Sequence, residues 1–380
     1  MHYDYIIAGA GASGLSLLMR MMNDPFFDDK QILVVDKSTK KANDRTWCFW
    51  EKGSGFFEHI VFHQWNKVHF YSDTLSELID LGHYSYKMIR GIDLYQHVIQ
   101  QAVNKSNVTF CFDNIHSVGT ENNVGFVVVG GKRYTADFVF NSIIFSPPTI
   151  PANKYYLLQH FKGYVIEASE DVFKPDQATL MDFRISQEHG AAFVYVLPRS
   201  SKKALVEYTL FTKELLTKQQ YDDGLKSYIN NFLGIRDYQI VEEEFGIIPM
   251  TNIAFEKHNG KVINMGTAGG QTKGSSGYTF RFIQKHADNI VDSLLRYGHP
   301  FLKDKFYKKR FSFYDSTLLN ILAKDKYPLD AIFSKMFQSN SIESVLRFLD
   351  NESSFQDELK IMSSLPKLVF TKAALEQIFK

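Results

Sequence analysis

The chain is poor in cysteine: Cys48 and Cys111 are the two in 380 residues. That excludes a disulfide framework, their separation offers no metal-ligand spacing, and a reducing, cytosolic setting is expected. Net charge is also scarce, at +1, so no global excess asks for nucleic acid or an acidic partner. No apolar run approaches the roughly 18 residues that a membrane span needs. The N-terminus runs straight into a strand, so no signal peptide is expected. Repeats and low-complexity tracts are missing too. Aromatics, by contrast, are abundant: 33 Phe, 20 Tyr and 3 Trp. A Phe-rich core accounts for them, and so does a long apolar pocket beside a surface that docks on lipid. The length allows two or three domains with a sizeable core.

The most informative stretch runs from Tyr3 to Asp36. Tyr5 to Ile7 predict a short buried strand that leads directly into Gly9-Ala-Gly11-Ala-Ser-Gly14. Leu15, Leu18, Met19 and Met22 then recur at helical spacing, and Ile32 to Val35 form a second strand ending in Asp36. Strand, Gly-x-Gly-x-x-Gly, helix, strand and acid make up a dinucleotide-binding βαβ unit. Gly9 allows the tight turn, Gly11 lets backbone approach a pyrophosphate, and Gly14 permits close helix–sheet packing. The helix N-terminus offers free N–H groups to the phosphates, and Asp36 can accept from ribose hydroxyls.

Past a polar loop, Asp44-Arg45-Thr46-Trp47-Cys48-Phe49-Trp50 sets Arg and Trp where they could clamp a cofactor and wall a pocket, or merely pack. Phe62 to Tyr71 predicts one or two strands, and Ile92 to Val103 a helix. Val108 to Phe112, Gly125 to Gly130 and Arg133 to Phe145 predict strands, with a tight hairpin at Gly130-Gly131. Ser146-Pro147-Pro148 suggests a domain crossing. From Tyr164 to Thr251 the pattern changes to long antiparallel strands, interrupted by a helix near 219–232. Such a separate sheet is expected to roof a substrate.

A second glycine-rich loop, Gly266-Thr-Ala-Gly269-Gly270 through Gly277-Tyr278, opens an amphipathic helix with Ile283, Ala287, Ile290, Val291, Leu294 and Leu295 on one face. Backbone amides and a helix N-terminus there suit a reduced flavin, which carries negative charge at N1/C2=O. Beyond Pro300 the chain predicts helices. Lys303, Lys305, Lys308, Lys309 and Arg310, interleaved with Phe301, Phe306 and Tyr307, fit either a solvated face or an anionic lipid surface.

These motifs, in this order, resemble the flavoprotein lycopene β-cyclase family of carotenoid biosynthesis. The matching stretches include Asp44 to Trp50, Met181-Asp-Phe-Arg184, Leu205-Val-Glu207-Tyr-Thr209, Glu244 to Thr251 and the second glycine loop. They reach to about residue 295; the C-terminal 80 residues match loosely. The resemblance implies an α/β fold, a p-hydroxybenzoate hydroxylase-like two-domain flavoprotein with a Rossmann-type FAD domain, an antiparallel-sheet substrate domain and a helical C-terminus. The expected divisions are 1–48, 86–150 and 252–298 for FAD, 49–85 and 151–251 for substrate, and 299–380 for the helical region. Implied too are a cytoplasmic enzyme peripheral to a membrane, FAD kept reduced by NAD(P)H, no metal, and a redox-neutral isomerisation. Its substrate would be lycopene or a related acyclic carotene, whose ψ ends become β-rings. Gly9, Gly11, Gly14, Asp36, Arg45, Arg90, Gly266, Gly269 and Gly270 are the expected FAD contacts, and Trp47 and Tyr208 the expected pocket walls. Two departures stand out. Thr267 replaces the acid that monooxygenases of this fold usually carry, and Asn141-Ser142 replaces an Asp-Gly pair.

Ring closure needs a proton delivered to an alkene, a tertiary cation kept from water, and a proton removed. A carboxylic acid can deliver it if burial holds it protonated. Glu207, mid-strand among Leu205, Val206, Tyr208 and Leu210, is the candidate acid; a strand Glu is otherwise commonly on the wet face of a sheet. Asp182, on a neighbouring predicted strand, could be a second carboxylate or could simply pair with Arg184. Two other readings stay open: a monooxygenase or polyprenyl reductase of the same architecture, and a non-catalytic flavin-binding carotenoid or lipid carrier.

Overall fold

A computed structural model describes residues 1–303 and 307–378. In chain order, β1 (His2–Ala8), α1 (Ala12–Met22) and β2 (Ile32–Asp36) come first. There follow β3 (Thr46–Lys52), β4 (His63–Trp65), β5 (Lys67–Tyr71), β6 (Ser76–Asp80), β7 (Tyr84–Arg90) and α2 (Gly91–Val103). The next strands are β8 (Val108–Phe112), β9 (Ile115–Glu121), β10 (Val124–Val129) and β11 (Lys132–Asn141). A long-stranded region holds β12 (Tyr156–Ala168), β13 (Gln177–Asp182), β14 (Ala191–Pro198), β15 (Lys203–Thr212), α3 (Lys218–Asn231) and β16 (Tyr238–Thr251). Short strands β17 (His258–Asn259) and β18 (Val262–Asn264) precede α4 (Phe280–Tyr297). Helices α5 (Tyr307–Ala323), α6 (Leu329–Ser339), α7 (Ile342–Leu349), α8 (Phe355–Ser364) and α9 (Lys367–Ile378) end the described chain.

The first sheet runs β17-β18-β11-β1-β2-β8, and its β18-β11-β1-β2-β8 core is parallel. Strands buried on both faces must be apolar throughout. Accordingly, Tyr5 and Ile7 of β1 face the helices while Ile6 and Ala8 pack under the β9–β10–β11 hairpins. Gly130 and Gly131 both take positive φ, which makes the tight β10–β11 turn.

The second sheet runs β16-β12-β15-β14-β13-β5-β6. It is antiparallel except where β5, from much earlier in the chain, lies parallel to β13. Side chains alternate between its two faces. One face, with Tyr164, Ile166, Val194, Val206 and Leu210, packs on Tyr221, Leu225 and Ile229 of α3. The other, with Val165, Tyr195, Leu197, Leu205 and Phe211, shares one apolar core with Trp50, Tyr86 and the C-terminal helices. A third, small sheet, β3-β7-β4, stands beside that second face.

Candidate active site

On β15, the parity that buries Val206 and Tyr208 against α3 turns Leu205, Glu207 and Phe211 to the opposite face. β12 lies between β15 and β16, and Gly163 of β12 is the register partner of both Glu207 and Glu244. A Cβ at Gly163 would stand 3.1 Å from the Glu244 Cγ and 3.7 Å from the Glu207 Cβ. The missing side chain therefore leaves room for two carboxyls to meet across an intervening strand. They do meet: the side chains of Glu207 and Glu244 hydrogen-bond to each other. Thr209 Oγ1 donates to Glu207 Oε1 at 3.0 Å, and Thr46 Oγ1 donates to Glu244 Oε2 at 2.7 Å.

The electrostatics of this pair are asymmetric. Burial, then the neighbouring Glu244 charge, pushes the Glu207 carboxyl well above the ordinary range. Burial also raises Glu244, but hydrogen bonds from Thr46 and Glu207 and the charges of Arg199 and Arg45 pull it back. Two carboxyls this close cannot both ionise cheaply. Burial raises both carboxyls, the Glu244 charge raises Glu207 further, and a proton shared between them relieves that cost. Both lie deep in the protein while keeping a little accessible surface. Around them, burial and the charge of Glu207 raise the Cys48 thiol and the Tyr86 hydroxyl, Tyr195 is the register partner of Glu207 on β14, and Trp50 meets Tyr278 edge-on at 4.7 Å. Trp50 Nε1, Gln159 Oε1 and Ser276 Oγ are buried without a protein partner among the described residues. The site is an acid in an aromatic, water-poor chamber.

At the other end, Gly9 takes φ +104°, and a Cβ at Gly14 would strike the Gly9 carbonyl at 2.0 Å. A Cβ at Gly11 meets nothing within 4 Å. Gly11 caps α1 with no side-chain hydrogen bond, so the amides of the first turn face a cleft that a pyrophosphate could fill. Asp36 ends β2 beside this turn, accepting from Ala10 N at 2.8 Å and pairing with Lys40 at 3.1 Å. The second glycine loop touches the first: a Cβ at Gly266 would lie 3.1 Å from the Ser13 Cβ. Gly269 and Gly270 complete the turn that carries this loop on toward Tyr278. These features fit a dinucleotide.

Residues 4–375 match the family described as "Lycopene cyclase protein". The chain belongs to the lycopene cyclase family. The lycopene beta-cyclase of Pantoea ananas is 23% identical over 268 residues, covering 66% of this chain and 63% of that protein, so the match spans under two thirds of the relative. A geranylgeranyl bacteriochlorophyll reductase-like structure from Thermoplasma acidophilum superposes with TM-score 0.59 at 13% identity, covering 100% of this chain and 96% of that one. A flavoprotein/dehydrogenase structure from Cytophaga hutchinsonii gives TM-score 0.64 at 10% identity, covering 100% of both chains. The fold is the two-domain flavoprotein fold of the p-hydroxybenzoate hydroxylase type, with a helical C-terminus.

Within this lycopene cyclase-family chain, the residues singled out from sequence fall on different faces. Asp182 is fully buried on the α3 side, where it accepts from Arg184 at 2.7 and 2.9 Å and from the Tyr228 hydroxyl at 2.8 Å. It is not brought to Glu207. Tyr208 lies against Gly224 of α3, again on the far face. Trp47 points away from the carboxyl pair, stacking on Phe280 at 6.0 Å and meeting Tyr95 edge-on. Arg45 sits beside Glu244 and donates to the Phe245 carbonyl at 3.3 Å; Arg90 closes on Asp93 at 2.7 Å. In the basic cluster, Lys305 and Phe306 lie outside the described residues, as do the side chains of Tyr307 and Lys308. Arg310 pairs with buried Glu358 at 3.0 Å. Glu244 is the carboxyl beside Glu207 that sequence reasoning left unassigned. Gly163 was its signal, since a glycine inside a long strand marks a close approach.

Proposed function

We propose that this chain cyclises the acyclic ψ ends of lycopene, or a related carotene, to β-rings without net redox change. The observation that carries the reading is the buried Glu207 carboxyl, its pKa pushed up by burial, held against Glu244 over Gly163. Glu207 gives its proton to the terminal alkene of the substrate. The resulting tertiary cation is attacked by the next alkene, which forms the ring C–C bond. The rings of Trp50, Tyr86, Tyr195 and Tyr278 shield that cation from water and offer it their negative faces. The charge left on the Glu207–Glu244 pair then accepts a ring proton, so one proton enters, one leaves, and the composition is unchanged. Gly9, Gly11, Gly14, Asp36 and the 266–270 loop would hold FAD, whose reduced form, maintained by NAD(P)H, supplies negative charge toward the cation. So apolar a substrate implies work at the cytoplasmic surface of a membrane, with the enzyme docked peripherally.

The test is expression in a lycopene-accumulating host, with pigment analysis and a deuterated-water assay. Glu207→Gln keeps size and hydrogen bonding but lacks the acidic proton. Cyclised product should fall by about 10²–10⁴-fold at unchanged flavin content. Wild-type product should carry one deuterium per ring, with no stoichiometric NAD(P)H consumption. Stoichiometric consumption would instead identify a reductase or monooxygenase. Full activity in Glu207→Gln would end the reading.

A further inference from the structure

The face of the second sheet that carries Glu207 is roofed by the C-terminal helices, and within that roof lies a cavity of about 330 Å³. Its walls are mainly apolar, with Leu318, Ile332, Phe333, Met336, Leu349 and Phe370 among them. At its inner end Lys273, Ser275 and Asp315 bond to one another, while Ser276 Oγ has no protein partner among the described residues. Lys273 donates to Asp315 and Asn351 at 2.7 Å each, and Ser275 donates to Asp315 at 2.6 Å. A charged ligand would have to break the Lys273–Asp315 cluster to be held, whereas a hydrocarbon needs only the apolar walls.

Two features give the cavity direction. Ser275 and Ser276 line its inner end and continue into Gly277 and Tyr278, the ring against Trp50 in the chamber of the carboxyl pair. At its outer end, Lys367 and Thr371 line it and are exposed. Met362, also in the wall, continues a stripe of α8 whose earlier members, Phe355 and Leu359, are 61% and 51% exposed. On α9, Leu368 and Leu375 form a second exposed apolar stripe, with Leu368 at 89%, flanked by Lys367 and Lys372. Exposed Leu and Phe bracketed by lysines suit the boundary of an anionic bilayer, where the apolar groups embed and the ammonium groups stay with the headgroups. The cavity thus runs from a lipid-compatible surface toward the acid.

We propose that this cavity is the site through which an acyclic isoprenoid chain leaves the bilayer, and in which its far, unreacting arm rests during catalysis. The assignment deepens the cyclase reading and rests on it. A volume near the lower end of the roughly 300–1,000 Å³ range of ligand pockets holds part of a forty-carbon polyene, not all of it. The reacting end is therefore free to extend to Glu207.

Ala374 of α9 lines the cavity from a partly exposed position, so Ala374→Trp fills it with little risk to folding. Leu349→Trp does the same from inside the core. The probe is lycopene in phosphatidylglycerol-containing vesicles, bound by the FAD-loaded full-length protein carrying Glu207→Gln so that nothing turns over. Each tryptophan variant should raise the apparent Kd for lycopene at least tenfold. In the active background, a shortened substrate with a single ψ end and no far arm should lose less turnover to each tryptophan than lycopene does, since it needs the cavity for passage alone. Unchanged lycopene affinity in Ala374→Trp, with its folding verified, would overturn the proposal while leaving the acid chemistry of Glu207 intact. Conversely, lost binding with no cyclisation in any background would keep the cavity and sink the cyclase reading. Equal uptake from detergent micelles and from vesicles would refute the bilayer as its source.

Discussion

Gly163 determines how near two acids can come. Its Cα lies between them in register, and the space its side chain would take is the space their contact uses. Gly163→Ala would press on the Glu244 Cγ and on Leu205, whose Cδ1 would lie 2.9 Å from the new methyl. The pair should part by some tenths of an ångström. Two results are expected together: turnover falls about 10–100-fold, a share of the general-acid contribution, and the pH profile moves. The sign follows from the chemistry. Turnover needs protonated Glu207, so it is present below that group's raised pKa and lost as pH rises through it. Weakening the mutual repulsion lowers that pKa, so the alkaline limb of the profile should shift to lower pH in Gly163→Ala. A rate loss with an unmoved limb would mean that Gly163 serves packing alone. Glu207 drew attention because it interrupts an apolar strand within a stretch that matches the family. Its contact with Glu244 was not readable, since which carboxyl meets it depends on strand order and parity. Asp182 sits on the α3 face, held by Arg184 and Tyr228.

At the scale of elements, the β1–α1 turn separates two kinds of glycine. Gly14 is structural: a methyl there would sit 2.0 Å from the Gly9 carbonyl oxygen, so Gly14→Ala should destabilise the whole βαβ unit. Gly11 faces open space and has φ −85° and ψ −169°, extended backbone that valine adopts readily. Gly11→Val should therefore fold with a near-wild-type melting temperature yet purify without flavin, because the isopropyl group occupies the pyrophosphate's approach. Absorbance at flavin wavelengths, set against thermal melts of the two variants, checks this. Flavin at full occupancy in folded Gly11→Val would move the dinucleotide elsewhere. This unit was readable because its period, turn and acid are all local. The resemblance grouped 49–85 with the second sheet's region, but the parallel pairing of β5 with β13, about a hundred residues later, was not readable because nothing local sets it.

On the scale of the whole molecule, the helices after Pro300 are not an appendage. Leu319, Ile321, Leu329, Ile332, Phe333, Met336, Phe337, Leu346 and Ile361 are buried in the same apolar core as Trp50, Val165, Tyr195, Leu205 and Met250. The sequence resemblance is weakest over these helices, yet they close the chamber in which a cation would have to survive. Each such side chain contributes roughly 1.5–3 kcal/mol on full burial. Polar ties reinforce the joint, with Arg281 of α4 paired to Glu51 of β3 at 2.7 Å and to Asp350 beyond α7 at 3.4 Å. A chain ending at Gly298 would expose the Glu207 face of the second sheet to water, and with it Tyr155, Leu157, Leu205 and Phe211. It should express as aggregate, or as a species that binds hydrophobic dye strongly and melts without cooperativity. Should the same truncation prove monomeric, cooperative and flavin-loaded, the helices would be an independent module. Glu207 would then face solvent with an ordinary carboxylate pKa, and the chamber would not depend on them.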